Sequence, residues 1–485
     1  MNKKGEPTQI SGADLSRFVL HSALLRLIDP VRGEPTRYTL DENPDGSLLG
    51  SWQLTQKFLD SFALICATSG SGAKTASAVC LETHGQAGTI LRVARNHGLT
   101  PEDLAGLKKV LKVLQEVAIK GTCFHQNAIN SIDIVGDAER LSTQAESEIL
   151  QLIVELDRGR ILSLAKRIEK RGIRDFLQKT RSRLNDRQLK SGKFRLWLEK
   201  CPFLTSTSQD WNHETTVILI DWASQARWYH AEQLQTLLGP EKSQYQVWLY
   251  NLHKIARYYS AVKSMVKFAM KEPDIFKEIS IQEITAPRPV LFKLPNEKTP
   301  LFTAVSKLMN KDTHSTMEQL EKHLSTQDVE AQLREACRLN LTLHAEMQLV
   351  VFYEGSPERA PRVRLIGTSK KACFLCNGYL RHHPLKLQVS ACHQKIYPSW
   401  RPPPYYKVPG KFMNAPFNKL LDDIEKLTKR DLKTALDSPR RHMNYDSTAG
   451  PSLTLTATIP TELRSLQAAQ RKLMIRDDGS SEDSD

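Results

Sequence analysis

Three short stretches decide how this chain is read: LHAEMQLVVFY (Leu343–Tyr353), RVRLIG (Arg362–Gly367) and KACFLCNGYL (Lys371–Leu380). The first is a helix, which Gly355-Ser356-Pro357 breaks. Arg362–Ile366 alternates polar and apolar residues as a half-buried strand does. The third stretch opens another helix, giving helix, strand, helix. His344, Cys373 and Cys376 are nitrogen and sulfur donors of the kind that hold zinc in a tetrahedron, and a catalytic zinc leaves its fourth position to water. The two cysteines stand one helical turn apart, so both sulfurs can face one ion. If they open a helix, its dipole favours the thiolate form. Glu346, two residues past the histidine, falls close to that water without ligating the metal.

A carboxylate in that place can take a proton from water, give it to a ring nitrogen and help ammonia leave. H-x-E followed by C-x-x-C is the arrangement that base deaminases use. The tripeptide alone carries nothing. His230-Ala231-Glu232 repeats it with no cysteine pair behind it until Cys373, and reads as part of a helix. The C-x-x-C, in a chain with eight cysteines among 485 residues, is the rarer element, and order and spacing together make the signal. A closed structural zinc, with Cys392 or His393 as a fourth ligand, stays open as the rival, although it leaves Glu346 without a task. A redox pair lacks a surrounding βαβ unit. His382 and His383 read as a pair at a helix C-terminus.

From Leu343 through the cysteine helix, within about residues 300–410, the sequence resembles the OTT_1508-like branch of the cytidine-deaminase-like superfamily, found in fungi and bacteria. The resemblance implies a mixed sheet flanked by helices, a zinc ion and hydrolytic deamination of a nucleobase. It carries over His344, Cys373 and Cys376 as ligands and Glu346 as proton shuttle, with zinc-bound hydroxide as nucleophile. Two features depart from the pattern. Ala372 stands where the superfamily often has proline. Thr316–Leu343 reads as helix, so the hairpin that opens the superfamily's sheet before the histidine is expected near Glu283–Leu294.

Aromatic residues follow the motif at Tyr397, Trp400, Tyr405 and Tyr406, around a proline run. A flipped base is held by stacking and edge hydrogen bonds, so Trp400, with Phe374, is the candidate pocket wall; packing of a loop onto the sheet is the competing use.

Outward from the motif the fold class is α plus α/β. Residues 1–283 read as a predominantly helical region, with helical periods at Ser16–Leu27, Trp52–Ala67, Leu104–Ala118, Glu146–Leu164, Gln233–Leu238 and Val247–Phe268. Residues 284–300 are a proline-containing linker with a short strand at Pro289–Leu294. Residues 301–435 form the zinc deaminase-like domain, with helices at Leu301–Met309 and Thr316–Arg338. Residues 436–485 are a polar tail, acidic and serine-rich at its end, expected to be disordered.

The net charge of +14 is uneven. Between Arg158 and Lys200 stand 15 Lys/Arg and four Asp/Glu. A solvated helix face explains such a run, and so does a surface for RNA or DNA, with Arg181, Arg183 and Arg187 as the patch. Phe194 and Trp197 at its end fit either use. Ser69–Thr75 (SGSGAKT) fails as a phosphate loop because Ala73 separates Gly72 from Lys74. The N-terminus lacks a secretory h-region and no stretch is long enough to span a bilayer, so the protein is expected to be intracellular, cytoplasmic or nuclear, with free thiols. The substrate is expected to contain a nucleobase, free or in nucleic acid. The alternative is a non-catalytic, zinc-stabilised module that binds RNA or protein.

Overall fold

The computed structural model describes residues 7–437 apart from 44–49, 69–72, 84–87, 128–132, 171, 184–191, 206, 208, 210, 239–241 and 407–413. The polar tail from residue 438 onward lies outside the described residues.

The N-terminal part begins with helix α1 (Gly12–Ile28), whose Phe18, Leu24, Leu25 and Ile28 are buried. It stops at Asp29, ahead of Pro30, because a residue before proline is pushed out of the helical region. Helix α2 (Ser51–Ile65) is buried along nearly its whole length. Two strands follow, β1 (Ser77–Thr83) and β2 (Thr89–Arg95), and pair as an antiparallel hairpin in the register Ser77 to Arg95 and Thr83 to Thr89. Long helices then pack on one another: α3 (Pro101–Asn127), α4 (Asp133–Glu169), α5 (His213–Trp228) and α6 (Lys242–Lys271). Strand β3 (Ile279–Glu283) returns to lie parallel to β2.

The C-terminal part supplies β4 (Val290–Phe292), β5 (Leu339–Leu341), helix α7 (Ala345–Gly355), β6 (Leu365–Thr368), helix α8 (Phe374–His382), β7 (Gln388–Val389) and helix α9 (Ala415–Thr434). The main sheet has five strands in the order β3-β2-β1-β6-β7, with β1–β6 antiparallel and β6–β7 parallel. Strands β4 and β5 form a separate antiparallel pair. The structure is thus mostly helical around a mixed sheet.

Several expectations are corrected here. The hairpin lies at β1–β2, about 250 residues before His344, and not near Glu283–Leu294. Residues 284–300 do not separate two cores. One hydrophobic cluster joins Phe18, Leu24 and Ile28 of α1, Ala78 and Cys80 of β1, and Ala94 of β2 to Val350, Ile366, Trp400 and Phe417. The helix expected over Thr316–Arg338 is two helices, Thr313–Leu324 and Val329–Ala336, parted where Ser325 takes a left-handed conformation (φ 51°). The segment up to Leu343, read as helix, contains β5.

The hairpin carries a buried ion pair. Arg92 Nε donates to Glu82 Oε1 at 2.7 Å and Arg92 Nη2 to Glu82 Oε2 at 3.1 Å. Tyr353 on α7 donates to Glu82 at 3.0 Å, and the Arg92 guanidinium lies 4.2 Å above the Phe352 ring. The residues after the H-x-E motif therefore satisfy the charges of the hairpin and tie α7 to the sheet. Gly367 fixes the opposite layer. A Cβ there would sit 2.1 Å from the carbonyl carbon of Leu59, so α2 can cross β6 this closely only over glycine.

Candidate metal centre

Strand β5 leads into Leu343 and His344, and His344 is the N-cap of α7. Its position is fixed from two sides. Thr342 N–H donates to the Ser399 carbonyl (2.8 Å), and the Ala345 N–H donates to Asn96 Oδ1 (2.8 Å), just past the end of β2. Gln348 Nε2 donates to the Arg95 carbonyl (3.2 Å), which locks the first turn of α7 to the same strand end. Neither Asn96 nor Gln348 was singled out in the sequence, where nothing distinguishes them from surface amides.

The cysteines come from the next helix–strand crossover. β6 ends at Thr368, and Cys373 caps α8, with Cys376 in its first turn. Cys373 Sγ accepts the Cys376 N–H at 3.3 Å, an orphan donor of the helix start. The Phe374 N–H is held by the Lys395 carbonyl at 3.0 Å. His344 Nδ1 then lies 3.7 Å from Cys373 Sγ and 3.4 Å from Cys376 Sγ.

Among the described residues these three side chains are the group close enough to hold a metal ion, all donor atoms lying within 4.8 Å of one another. Their chemistry fits zinc: two sulfurs at a helix N-terminus and one imidazole. Cys392 and His393 do not join the cluster. Cys392 Sγ accepts from Gln394 N–H, and His393 Nδ1 from Lys395 N–H. Among the described residues, neither stands with the grouped donors His344, Cys373 and Cys376.

Both cysteines are buried, whereas His344 and Glu346 keep partial exposure. Burial would raise the Cys373 thiol, but its hydrogen bond from Cys376 and the neighbouring His344 outweigh it and hold it well below the usual thiol range. Burial, followed by the Cys373 charge, pushes Cys376 up. The pair thus gives up its first proton readily and holds the second tightly, and a divalent ion would have to displace that second proton. Burial would lower His344; the Cys373 thiolate overrides it and raises it. Burial raises the Glu346 carboxyl, and the nearby His344 opposes that shift only in part.

Residues 343–404 match the family model of an OTT_1508-like deaminase. The match spans the deaminase-like segment from just before His344 to just past Trp400, and the His-Cys-Cys group within it could bind a metal. Among curated proteins and among solved structures, none matches the chain.

The remaining site expectations fall out unevenly. Phe374 is half-buried beside Cys373. Trp400 is not a pocket wall: it is fully buried, packed by Phe18 (ring centroids 5.4 Å apart) and Tyr379 (6.1 Å), and has no face left for a base. Tyr397 is half-buried, with its ring centroid 6.4 Å from that of His344. His382 and His383 close α8 as expected, paired with Asp423 (2.7 Å) and Glu354 (2.8 Å). His230 packs against Phe194 and Trp197, a core histidine at the start of a helix. Phe194 and Trp197 are themselves core, with Trp197 stacked 4.5 Å from Trp222.

In the basic stretch, Arg158 bonds the Trp211 carbonyl and Arg160 those of Leu64 and Ala67, so these two serve internal packing. Arg187 lies outside the described residues, as do the side chains of Arg181 and Arg183 in the helix Ile173–Arg183. Residues 69–72 of the glycine-rich turn also lie outside them. Among the described residues no helix is long and apolar enough to cross a membrane.

Proposed function

We propose that the chain is a zinc-dependent hydrolytic deaminase acting on an amino-bearing nucleobase. The observation that carries this reading is a three-donor cluster, His344, Cys373 and Cys376, with the partly exposed Glu346 two residues past the histidine. Zinc held there supplies an activated water and a positive charge beside the reacting carbon. Glu346 takes the proton of that water as the carbon–oxygen bond forms. It passes that proton to the ring nitrogen, then takes the second proton from the new hydroxyl and gives it to the amino nitrogen as the carbon–nitrogen bond breaks, so that water and an aminated ring become a ring carbonyl and ammonia. Tyr397 and Phe374, both half-buried and close to the cluster, are the aromatic groups we assign to the base.

Beyond Arg158 and Arg160, which serve internal packing, the basic run up to Lys200 would suit a base within RNA or DNA, since a polymer brings phosphates to pair with it, and a free nucleoside is the alternative substrate. The reading is tested by ammonia release from cytosine- and adenine-containing nucleosides and oligonucleotides. Glu346→Gln is expected to lower turnover by about 100-fold or more while retaining its metal. A Glu346→Gln enzyme as active as wild type would overturn the assignment of the proton relay. An absence of ammonia from every base-containing substrate would favour the zinc-stabilised binding module.

A further inference from the structure

The indole N–H of Trp400 is 3.2 Å from Cys376 Sγ. We propose that Trp400 is a positioning residue of the metal centre, which orients the Cys376 thiolate and draws electron density from it. The inference rests on the metal-binding reading above and adds a residue that acts on the ligand from behind, away from the substrate.

Three observations carry it. The ring cannot turn away. It is fully buried between Phe18 of α1 and Tyr379 of α8, and Phe18 is itself backed by Phe417 of α9 at 5.6 Å. The backbone that bears it is tied to the segment that bears His344. Thr342 N–H donates to Ser399 O, Arg401 N–H donates to Thr342 O at 2.9 Å, and the Trp400 N–H closes on Tyr397 O at 2.9 Å. One short bridge therefore sets both the histidine ligand and the indole. Finally, the two sulfurs have different donors. Cys373 Sγ accepts a backbone N–H that any helix start provides, whereas Cys376 Sγ accepts one that only this side chain supplies.

A buried thiolate without a donor is costly, and a donor on it weakens its donation to the ion, leaving more positive charge on the metal. Tryptophan offers a donor and no acceptor, so it cannot displace Cys376 as a ligand. Phenylalanine would keep most of the packing and lose only the N–H.

The test is cobalt(II) titration of the metal-free full chain, wild type beside Trp400→Phe. The expected result is cobalt affinity about 10-fold weaker in the variant, with the sulfur-to-cobalt charge-transfer band moved to lower energy. Loss of packing alone would leave that band in place. Unchanged affinity with an unchanged band would overturn the role of Trp400 and leave the metal site standing. Failure of the wild type to bind cobalt would overturn both. If Trp400→Phe does not fold, the wild-type chain still decides. Loaded with NMR-active cadmium, one of its seven tryptophan indole protons should show scalar coupling to the ion through the N–H···S bond, and coupling from none of them would overturn the proposal.

Discussion

At the scale of single residues, the group of His344, Cys373 and Cys376 that could hold a metal was legible and its support was not. His344, Glu346, Cys373 and Cys376 announce themselves because few other uses place those types in that order. Trp400 was misassigned, because an aromatic residue beside a proline run looks the same whether it faces a base or a sulfur, and only burial separates the two. Away from the site, Asp157 on α4 is a buried carboxylic acid of the helical layer. Burial pushes it up to about 8, against Arg160 and Arg95 and the Tyr258 hydroxyl, and with a further push from Asp103; the Cys66 thiol also faces it. The unfolded chain gives up this proton near pH 4, while the folded chain keeps it to about 8. Over that interval the folded state holds the extra proton. The stability this group contributes is therefore complete below about pH 4 and is lost as pH rises toward 8. Asp157→Asn, which cannot ionise, is expected to flatten that decline. In urea melts its midpoint should gain on wild type between pH 5 and pH 8, and parallel pH profiles would contradict the assignment.

At the scale of elements, the short strands were hardest to see. SAVCLET and TILRVAR are buried on both faces, so neither shows the alternation that betrays a half-buried strand. Their one charged pair, Glu82 and Arg92, looks like surface polarity until the strands are brought into register. The longer helices were legible because their apolar residues recur at helical spacing along a buried face, and β4 fell within the strand expected at Pro289–Leu294. The break at Ser325 was not, since serine is an unremarkable residue in a helix until it adopts a positive φ. Strand β6 shows how tightly the layers meet. Gly367→Ala would force a methyl group into the backbone of Leu59, so α2 or β6 must shift. We expect a loss of about 1–3 kcal/mol or more, read as a lower denaturation midpoint. A midpoint equal to wild type would show that the crossing is looser than described.

At the scale of the whole molecule, sequence distance misled. A linker was placed at 284–300 because four prolines follow a run of helices, yet chain punctuation is not a core boundary. The site residues of 343–400 rest on a sheet begun at Ser77 and on a helix begun at Gly12. The family match over 343–404 covers the ligands and Glu346 but none of β1, β2 or β3. Pairings over such separations are set by tertiary packing, which periodicity does not record. The central claim is that this assembled sheet presents a metal centre with three protein ligands. Metal analysis of the purified full chain, wild type beside Cys376→Ser, tests it most directly. The account predicts about one zinc ion per chain in the wild type, the stoichiometry of a single three-ligand site, and its loss in the variant. A wild-type chain without metal, or a variant that keeps its full complement, would contradict it.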